Sequence, residues 1–261
     1  MAAGILYSFQ LYADFQACVC IAKGVSEMFG IHLADNFRHP YFSRSTGEFW
    51  RRWHISLSSW LRDYVYIPLG GNRKGRLRKY FNLIVTFAVS GMWHGGGLKY
   101  LFWGLLHAGY QIIGDVLKPI RKGVYRLFRI GEEETLAVLI QTLFTFVCVM
   151  FGWILFRADS LRIGLSMIRS VFTVYNPWIF FDDSLFELGL GWRDCVILFL
   201  SLLLLLAVSL LQNRKVSLSK LIMKQHILLR WSIYFLMIAV IWILGTYGFG
   251  FNAQDFIYGG F

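Results

Sequence analysis

The sequence predicts an all-α integral membrane protein, and three observations lead to this fold class. Hydrophobic residues make up 57% of the 261-residue chain, whereas soluble domains contain about 45–50% apolar residues. The mean hydropathy is +0.53. The formal charge of +11 comes from lysines and arginines between the apolar runs, as in loops on the cytoplasmic side of a membrane. We therefore expect a single membrane-embedded domain over residues 1–261.

The first predicted helix covers residues 4–30 and carries polar side chains along its length. Gln10, Asp14, Gln16 and Lys23 make it too polar for a lipid-facing span, so we expect it to pack inside a helix bundle. There, Asp14 either forms a structural hydrogen bond to a neighbouring helix or takes part in function.

Apolar runs predict the remaining spans at residues 80–93, 100–117, 136–156, 194–211 and 231–249. The bias of lysine and arginine places three loops inside, at 73–79, 118–129 and 212–230. It places the turn at 94–99, the loop at 157–193 and the C-terminus outside. The outer loop contains a predicted surface helix at 161–175.

Residues 48–66, which follow a loop at 35–48, predict an interfacial or re-entrant helix. At about 100° per residue, one arc of the helix is largely aromatic; it holds Trp50, Trp53, His54, Leu57, Trp60, Leu61 and Tyr64. The arginines Arg51, Arg52 and Arg62 lie on the rest of the helix and exclude a lipid-spanning role. His54 falls at the edge of the aromatic arc, where it can contact both a packed interior and a wetter channel.

Residues 80–93 are apolar but short for a hydrocarbon core of about 30 Å, and they end at Trp93-His94 and three glycines. A helix can stop within the membrane where its freed backbone groups face protein or a water-filled cavity. The sequence therefore predicts His94 at the floor of a cavity. His107, which shares a helix face with Trp103 and Gln111, is predicted to be a buried structural histidine.

The basic segment 73–79 has two interpretations. It contains Arg73, Lys74, Arg76, Arg78 and Lys79 and no acidic residue. It is either a cytoplasmic loop of the usual positive-inside kind or a docking surface for acidic headgroups or an anionic cofactor.

An imidazole has an unperturbed pKa near ~6.5, which suits general acid–base chemistry at neutral pH. Burial keeps it neutral, as a base must be before it accepts a proton. The sequence contains no GxSxG nucleophile elbow and no carboxylate pair of glycosidase spacing. The four cysteines, Cys18, Cys20, Cys148 and Cys195, lack metal-ligand spacing, so no metal site is expected. Membrane topology accounts for the basic loops, so no nucleic-acid partner is expected.

Several long motifs resemble the membrane-bound O-acyltransferase (MBOAT) family. They are Asn36-Phe37 with Pro40-Tyr41, FWRRWHISLS at 49–58, WLRDYVYIPLGG at 60–71 and SGMWHG at 90–95. The last part of the second long motif, at 67–71, is most similar to the branch that O-acetylates exported polysaccharides such as alginate.

The resemblance implies a multi-helix bundle around a central cavity, in which His94 is the catalytic histidine and His54 the second active-site histidine. It implies that Arg51, Arg52, Trp53, Arg62 and Asp63 support the channel between them, together with Trp93. The resemblance gives only weak support for a functional role of Asp14, because Gln16-Ala17-Cys18-Val19-Cys20 departs from the family's first motif. The C-terminal ending, 258–261, also departs from the family's usual one.

The resemblance further implies acetyl-CoA as acyl donor, with no resident cofactor, and an exported polysaccharide as acceptor. Expected partners are membrane lipid and an extracytoplasmic acetyltransferase, in the plasma membrane of a bacterium. Family members are much longer at the N-terminus, so the sequence looks like the C-terminal portion of the family fold. Two alternatives are D-alanyl transfer to polymers of the teichoic acid type and a non-catalytic, truncated membrane scaffold.

Overall fold

The computed structural model describes residues 1–181, 184, 186 and 191–245, and the regular elements among these residues are all helical. The helices, in chain order, are α1 (Ala2–Met28), α2 (Thr46–Arg52), α3 (Ile55–Leu61), α4 (Gly75–Trp93), α5 (Leu98–Val116), α6 (Lys118–Leu127), α7 (Thr135–Arg157), α8 (Leu161–Thr173), α9 (Trp192–Asn213), α10 (Leu218–Met223) and α11 (Ile227–Leu244). Short 3₁₀ turns cover Pro40–Phe42 and Pro177–Phe180, and a π-helical turn covers Arg62–Tyr66.

Four of the described helices, α1, α7, α9 and α11, are long and apolar enough to cross a membrane. The prediction of an all-α, multi-pass membrane protein is thus confirmed. By length and composition α1 is one of these four helices, and the expectation that it is too polar to face lipid stays a prediction. The helices over 80–93 and 100–117 form but are not among the four. Basic residues open α4, while α5 contains Lys99, His107 and Asp115.

Three predicted loops contain helices. Most of the basic segment 73–79 is the first turn of α4, which begins at Gly75. The loop after residue 117 contains α6, whose basic and apolar side chains alternate at helical spacing. The loop at 212–230 contains α10. Residues 246–249 of the last predicted span and the ending at 258–261 lie outside the described residues.

The chain divides into two compact units, Met1–Tyr175 and Asn176–Phe261. In the second unit, α9 and α11 are rich in leucine and isoleucine, and their side chains are largely exposed. The first unit holds α1 to α8 and the aromatic core. That core centres on the fully buried side chains of Phe49, Trp103, His107 and Trp153.

Glycines bring α4 and α5 into backbone contact. A Cβ atom added at Gly104 would lie 2.1 Å from the carbonyl oxygen of Phe87, and one at Gly91 would lie 2.2 Å from that of Tyr100. No side chain fits in either place. Because α4 ends at Trp93 and α5 begins at Leu98, this contact fixes where the intervening turn, with His94, is held.

Candidate active site

His54 occupies a corner between two short helices. The prediction of one continuous helix over 48–66 is wrong, because α2 ends at Arg52 and Trp53 is extended, with ψ 131°. His54 itself is left-handed, with φ 45° and ψ 55°, a conformation that is uncommon for residues other than glycine. The single helical wheel is therefore only partly correct. Trp50, Trp53, Leu57 and Leu61 are buried, but Trp60 and Tyr64 are exposed.

Asn36, which lies 20 residues before Ser56 in the sequence, supports this corner. Its backbone oxygen accepts a hydrogen bond from Ile55 N at 3.0 Å, and its side-chain Oδ1 accepts from Ser56 N, also at 3.0 Å. These are the first N–H groups of α3, which have no partner within their own helix. The interruption of the helix is thus compensated by a loop residue.

His94 follows the last residue of α4 and is surrounded by aromatic rings. Its ring centroid lies 5.1 Å from that of Trp103 and 5.1 Å from that of Phe156, both edge-to-face. The next residue, Gly95, has φ +153°, and a Cβ atom there would lie 2.6 Å from the Tyr100 ring. The predicted glycine break after His94 therefore exists and is sterically required.

The structure brings the two histidines together around Trp93. The Trp93 ring lies 6.0 Å from the His54 ring and 4.8 Å from the His94 ring, centroid to centroid. Both imidazoles lie outside the four candidate spans. Burial lowers the pKa of His54 to about 4, and burial together with the nearby His54 lowers the pKa of His94 to about 4. Both rings are therefore neutral at pH 7 and able to accept a proton.

Behind His94 lies a second buried imidazole, that of His107. Trp103 separates the two, with its ring centroid 5.1 Å from each. Trp50 Nε1 donates a hydrogen bond to His107 Nδ1 at 3.3 Å. On the other side, a Cβ atom at Gly152 of α7 would lie 2.5 Å from His107 Nε2. His107 is fully buried, as its sequence position predicts.

A cavity of about 740 Å³ lies between α2, α3, α4 and α5. Its lining follows one face of α4 through Lys79, Leu83, Thr86 and Ser90. The 11 residue steps from Lys79 to Ser90 correspond to about 17 Å of helix, and His94 lies one turn beyond Ser90. The cavity's lining residues do not include either His54 or His94.

The wall of this cavity is basic. Arg51, Arg62, Lys79, Lys118 and Arg121 line it, against the single carboxylate of Asp115. Lys79 Nζ is 2.8 Å from Asp115 Oδ2, and the hydrogen bond from Lys79 helps to hold the pKa of that carboxyl below its usual range. Arg62 pairs with Asp63. Among the described residues, none provides a carboxylate within ion-pair distance of the other three cations, and the Nε of Arg121 is buried without a partner.

The other predicted site residues have different surroundings. Arg52 forms an ion pair with Glu48 at 2.5 Å and donates a hydrogen bond to the His39 carbonyl oxygen at 3.4 Å. Trp53 is buried, whereas Asp63 and its ion-pair partner Arg62 are both exposed. Asp14 is half-buried on α1. Of all the predicted site residues, only Arg51 and Arg62 line the cavity.

Two residues that position the site were not predicted. Asn36 was quoted only as part of a motif. Glu48 accepts hydrogen bonds from Arg44 N and from Arg52, while its own N–H donates to Ser45 Oγ. The spacing Ser45-x-x-Glu48 is that of a helix capping box, so Glu48 could have been found from the sequence. The role of Asn36 depends on contacts distant in sequence and left no such signal.

The fold and the site together define a multi-pass α-helical membrane protein with two neutral histidines near a basic cavity. The chain belongs to the membrane-bound O-acyltransferase family (MBOAT), whose family model matches residues 1–158.

The chain is similar to bacterial acyltransferases of three kinds. It is 38% identical over 199 residues to a Pseudomonas putida protein named "Probable alginate O-acetylase AlgI", a match covering 76% of this chain and 39% of the relative. It is 39% identical over 168 residues to a peptidoglycan O-acetyltransferase of Helicobacter pylori, covering 63% of this chain and 30% of the relative. It is 33% identical over 157 residues to a teichoic acid D-alanyltransferase of Bacillus subtilis, covering 58% of this chain and 39% of the relative. The chain thus spans less than half the length of these relatives.

Proposed function

We propose that this chain forms part of an O-acetyltransferase that moves an acetyl group from cytoplasmic acetyl-CoA toward a hydroxyl group of an exported polysaccharide. The observation that carries the proposal is the basic cavity along α4, which reaches to within one turn of His94. Two of its relatives are named as O-acetylating enzymes.

The donor is assigned from the charge of the cavity. Coenzyme A is polyanionic through its phosphates, and guanidinium and ammonium groups are the side chains that bind phosphate. Arg51, Lys118 and Arg121 would bind those phosphates, because none of the three has a carboxylate partner among the described residues. The face of α4 from Lys79 to Ser90 would then guide the thioester arm toward His94.

The chemistry is assigned to His94. Its neutral ring would take the proton of the attacking hydroxyl, whose oxygen forms a bond to the acetyl carbonyl carbon. The bond between that carbon and the sulfur of CoA then breaks, and the departing thiolate takes the proton back from His94. His54 would orient the reacting groups or relay the proton, since it lies next to His94 across Trp93.

The remaining parts of the proposal concern location and partners. The chain would work in a bacterial cell membrane, in contact with lipid, and an extracytoplasmic acetyltransferase would complete the transfer to the polysaccharide. The relatives' names include an alginate and a peptidoglycan enzyme, so the acceptor is assigned to the class of exported polysaccharides.

The test is an acetyl-transfer assay in membranes with radiolabelled acetyl-CoA, on the 261-residue chain and on a version extended upstream. We expect His94→Ala to abolish transfer in whichever form is active. Equal transfer by wild type and His94→Ala would overturn the proposed base. Transfer by neither form would favour a non-catalytic scaffold, and transfer of D-alanine instead of acetyl would favour the teichoic acid type, for which the Bacillus relative is the supporting observation.

The donor site has its own measurement, the binding of CoA to the purified protein in lipid nanodiscs. We expect Lys118→Ala and Arg121→Ala each to weaken binding several-fold and to reduce its dependence on salt, because fewer phosphate contacts remain. Lys224→Ala, an exposed lysine in the second unit, is the matched control. Unchanged affinity in both cavity variants would contradict the assignment.

A further inference from the structure

A chain of hydrogen bonds connects His54 to Asn36 through the hydroxyl of Ser56. Ser56 Oγ is 2.9 Å from Asn36 Oδ1 and 3.4 Å from His54 Nδ1. These three side chains come from the loop before α2, the corner and the first turn of α3. The direction of each bond in this chain can be worked out from the donors that are present.

The orientation of the Asn36 amide is fixed by a backbone group. The N–H of Ser56 can only donate, and it lies 3.0 Å from the same side-chain atom of Asn36. That atom must therefore be the amide oxygen, which accepts and cannot donate. Since the Ser56 hydroxyl faces the same oxygen, the hydroxyl must be the donor in that pair.

The protonation of His54 follows from this order. The hydroxyl hydrogen of Ser56 is committed to Asn36, so its oxygen can only accept from His54. The bond is thus Nδ1–H of His54 to Oγ of Ser56. A neutral imidazole carries one proton, and with that proton on Nδ1 the lone pair is on Nε2.

Besides Ser56, two aromatic rings contact the His54 imidazole. Phe15 lies edge-to-face at 4.8 Å and Trp93 at 6.0 Å, centroid to centroid. Aromatic edges can limit the orientation of the ring but cannot select which nitrogen is protonated. The selection therefore depends on Ser56 and Asn36.

We propose that Asn36 and Ser56 are positioning residues that hold His54 as the Nδ1–H tautomer, so that its Nε2 accepts a proton during acyl transfer. The inference rests on the proposed function, and it gives His54 a defined role beside His94. His54 Nε2 takes up the proton that the hydroxyl releases through His94, and returns it by the same path to the departing thiolate. His94 and His54 therefore act in series.

Two kinds of measurement test the tautomer and its use. The first is ¹⁵N NMR of histidine-labelled protein in nanodiscs, with the His54 signals assigned by their loss in His54→Gln. We expect a protonated Nδ1 and an unprotonated Nε2 in the wild type, and a mixture of tautomers in Ser56→Ala. A protonated Nε2 in the wild type, or an unchanged spectrum in Ser56→Ala, would overturn the inference.

The second measurement is steady-state acetyl transfer by the form that is active. We expect Ser56→Ala to lower kcat by about 10- to 100-fold, the range seen when the partner that orients a metal-bound histidine is removed, with KM unchanged. Ser56→Thr keeps the hydroxyl and is expected to restore kcat. Ser166→Ala, an exposed serine bonded only to its own helix on α8, is the control. Asn36 also supports the start of α3, so the result for Asn36→Leu is interpreted only if this variant folds. The decisive variant is Ser56→Ala.

The outcomes separate this inference from the proposed function. An unchanged kcat in Ser56→Ala, with transfer lost in His94→Ala, overturns the relay and leaves the proposed function in place. If no form transfers acetyl, both the proposed function and the proton transfer through His54 are overturned. The NMR result then decides the hydrogen-bond assignment alone.

Discussion

His54 and His94 are neutral because their environment disfavours charge. Both are half-buried among aromatic rings, and desolvation of an imidazolium in such surroundings is costly. The same burial that keeps both rings neutral also connects their titration to the stability of the fold.

Stability is expected to decline on acidification between about pH 6.5 and pH 4. The folded-state pKa of each histidine is lowered to about 4, below the value near 6.5 of an unfolded chain. In that window the unfolded state binds protons that the folded state does not, so falling pH favours unfolding. Thermal unfolding in nanodiscs as a function of pH measures this. His94→Gln should flatten the dependence, whereas the exposed His226→Gln should leave it unchanged.

Among the elements, the pair α4–α5 depends on residues that have no side chain. At Gly104 and Gly91 the helices touch through their backbones, and that contact places His94 between Trp103 and Phe156. Small residues at such contacts are typical of helix packing in membranes.

Gly104→Ala should therefore destabilise the first unit. Its new Cβ would meet the Phe87 carbonyl at 2.1 Å, and the helices must separate, at a cost of about 1–3 kcal/mol or more. Gly109→Ala is the matched control, because it lies in the same helix with nothing within 4 Å of a Cβ atom; it should be neutral or slightly stabilising. Equal unfolding temperatures of the two variants would show that the contact is not limiting.

The sequence predicts an element well when the residues that determine it lie close together in the chain, and poorly when they lie far apart. The span at 136–156 matches α7 closely, because a long apolar run needs no partner to be recognised. The break at His54 contains no proline or glycine, and residues 48–66 alone are compatible with one helix. It is stabilised by Asn36, distant in sequence, so a local pattern could not reveal it. The contact of Trp50 with His107 spans 57 residues and was missed for the same reason.

For the whole molecule, the loop charges give a definite orientation. The predicted inner loops hold most of the lysines and arginines outside the helices, and the loop at 157–193 is predicted to face outward. The basic end of the cavity, at Lys79, Lys118 and Arg121, would then face the cytoplasm, where acetyl-CoA is available.

Cysteine labelling in intact bacterial cells can test this orientation. In a variant without its four native cysteines, single cysteines are introduced at Asp159 and at Lys215, both exposed. A membrane-impermeant maleimide should label position 159 in intact cells and position 215 only after permeabilisation. Labelling of position 215 in intact cells, or protection of position 159, would contradict the predicted topology.

The left-handed backbone at position 54 has a consequence for relatives of this chain. A residue with a Cβ atom in that conformation costs about 1–2 kcal/mol, whereas glycine adopts it without strain and asparagine tolerates it. The fold alone would therefore favour glycine or asparagine at the corner, and histidine occupies it at that cost. Once a descendant no longer needed an imidazole at this position, substitution by glycine would make it more stable. The residue at this one corner would then distinguish a retired scaffold from a working transferase.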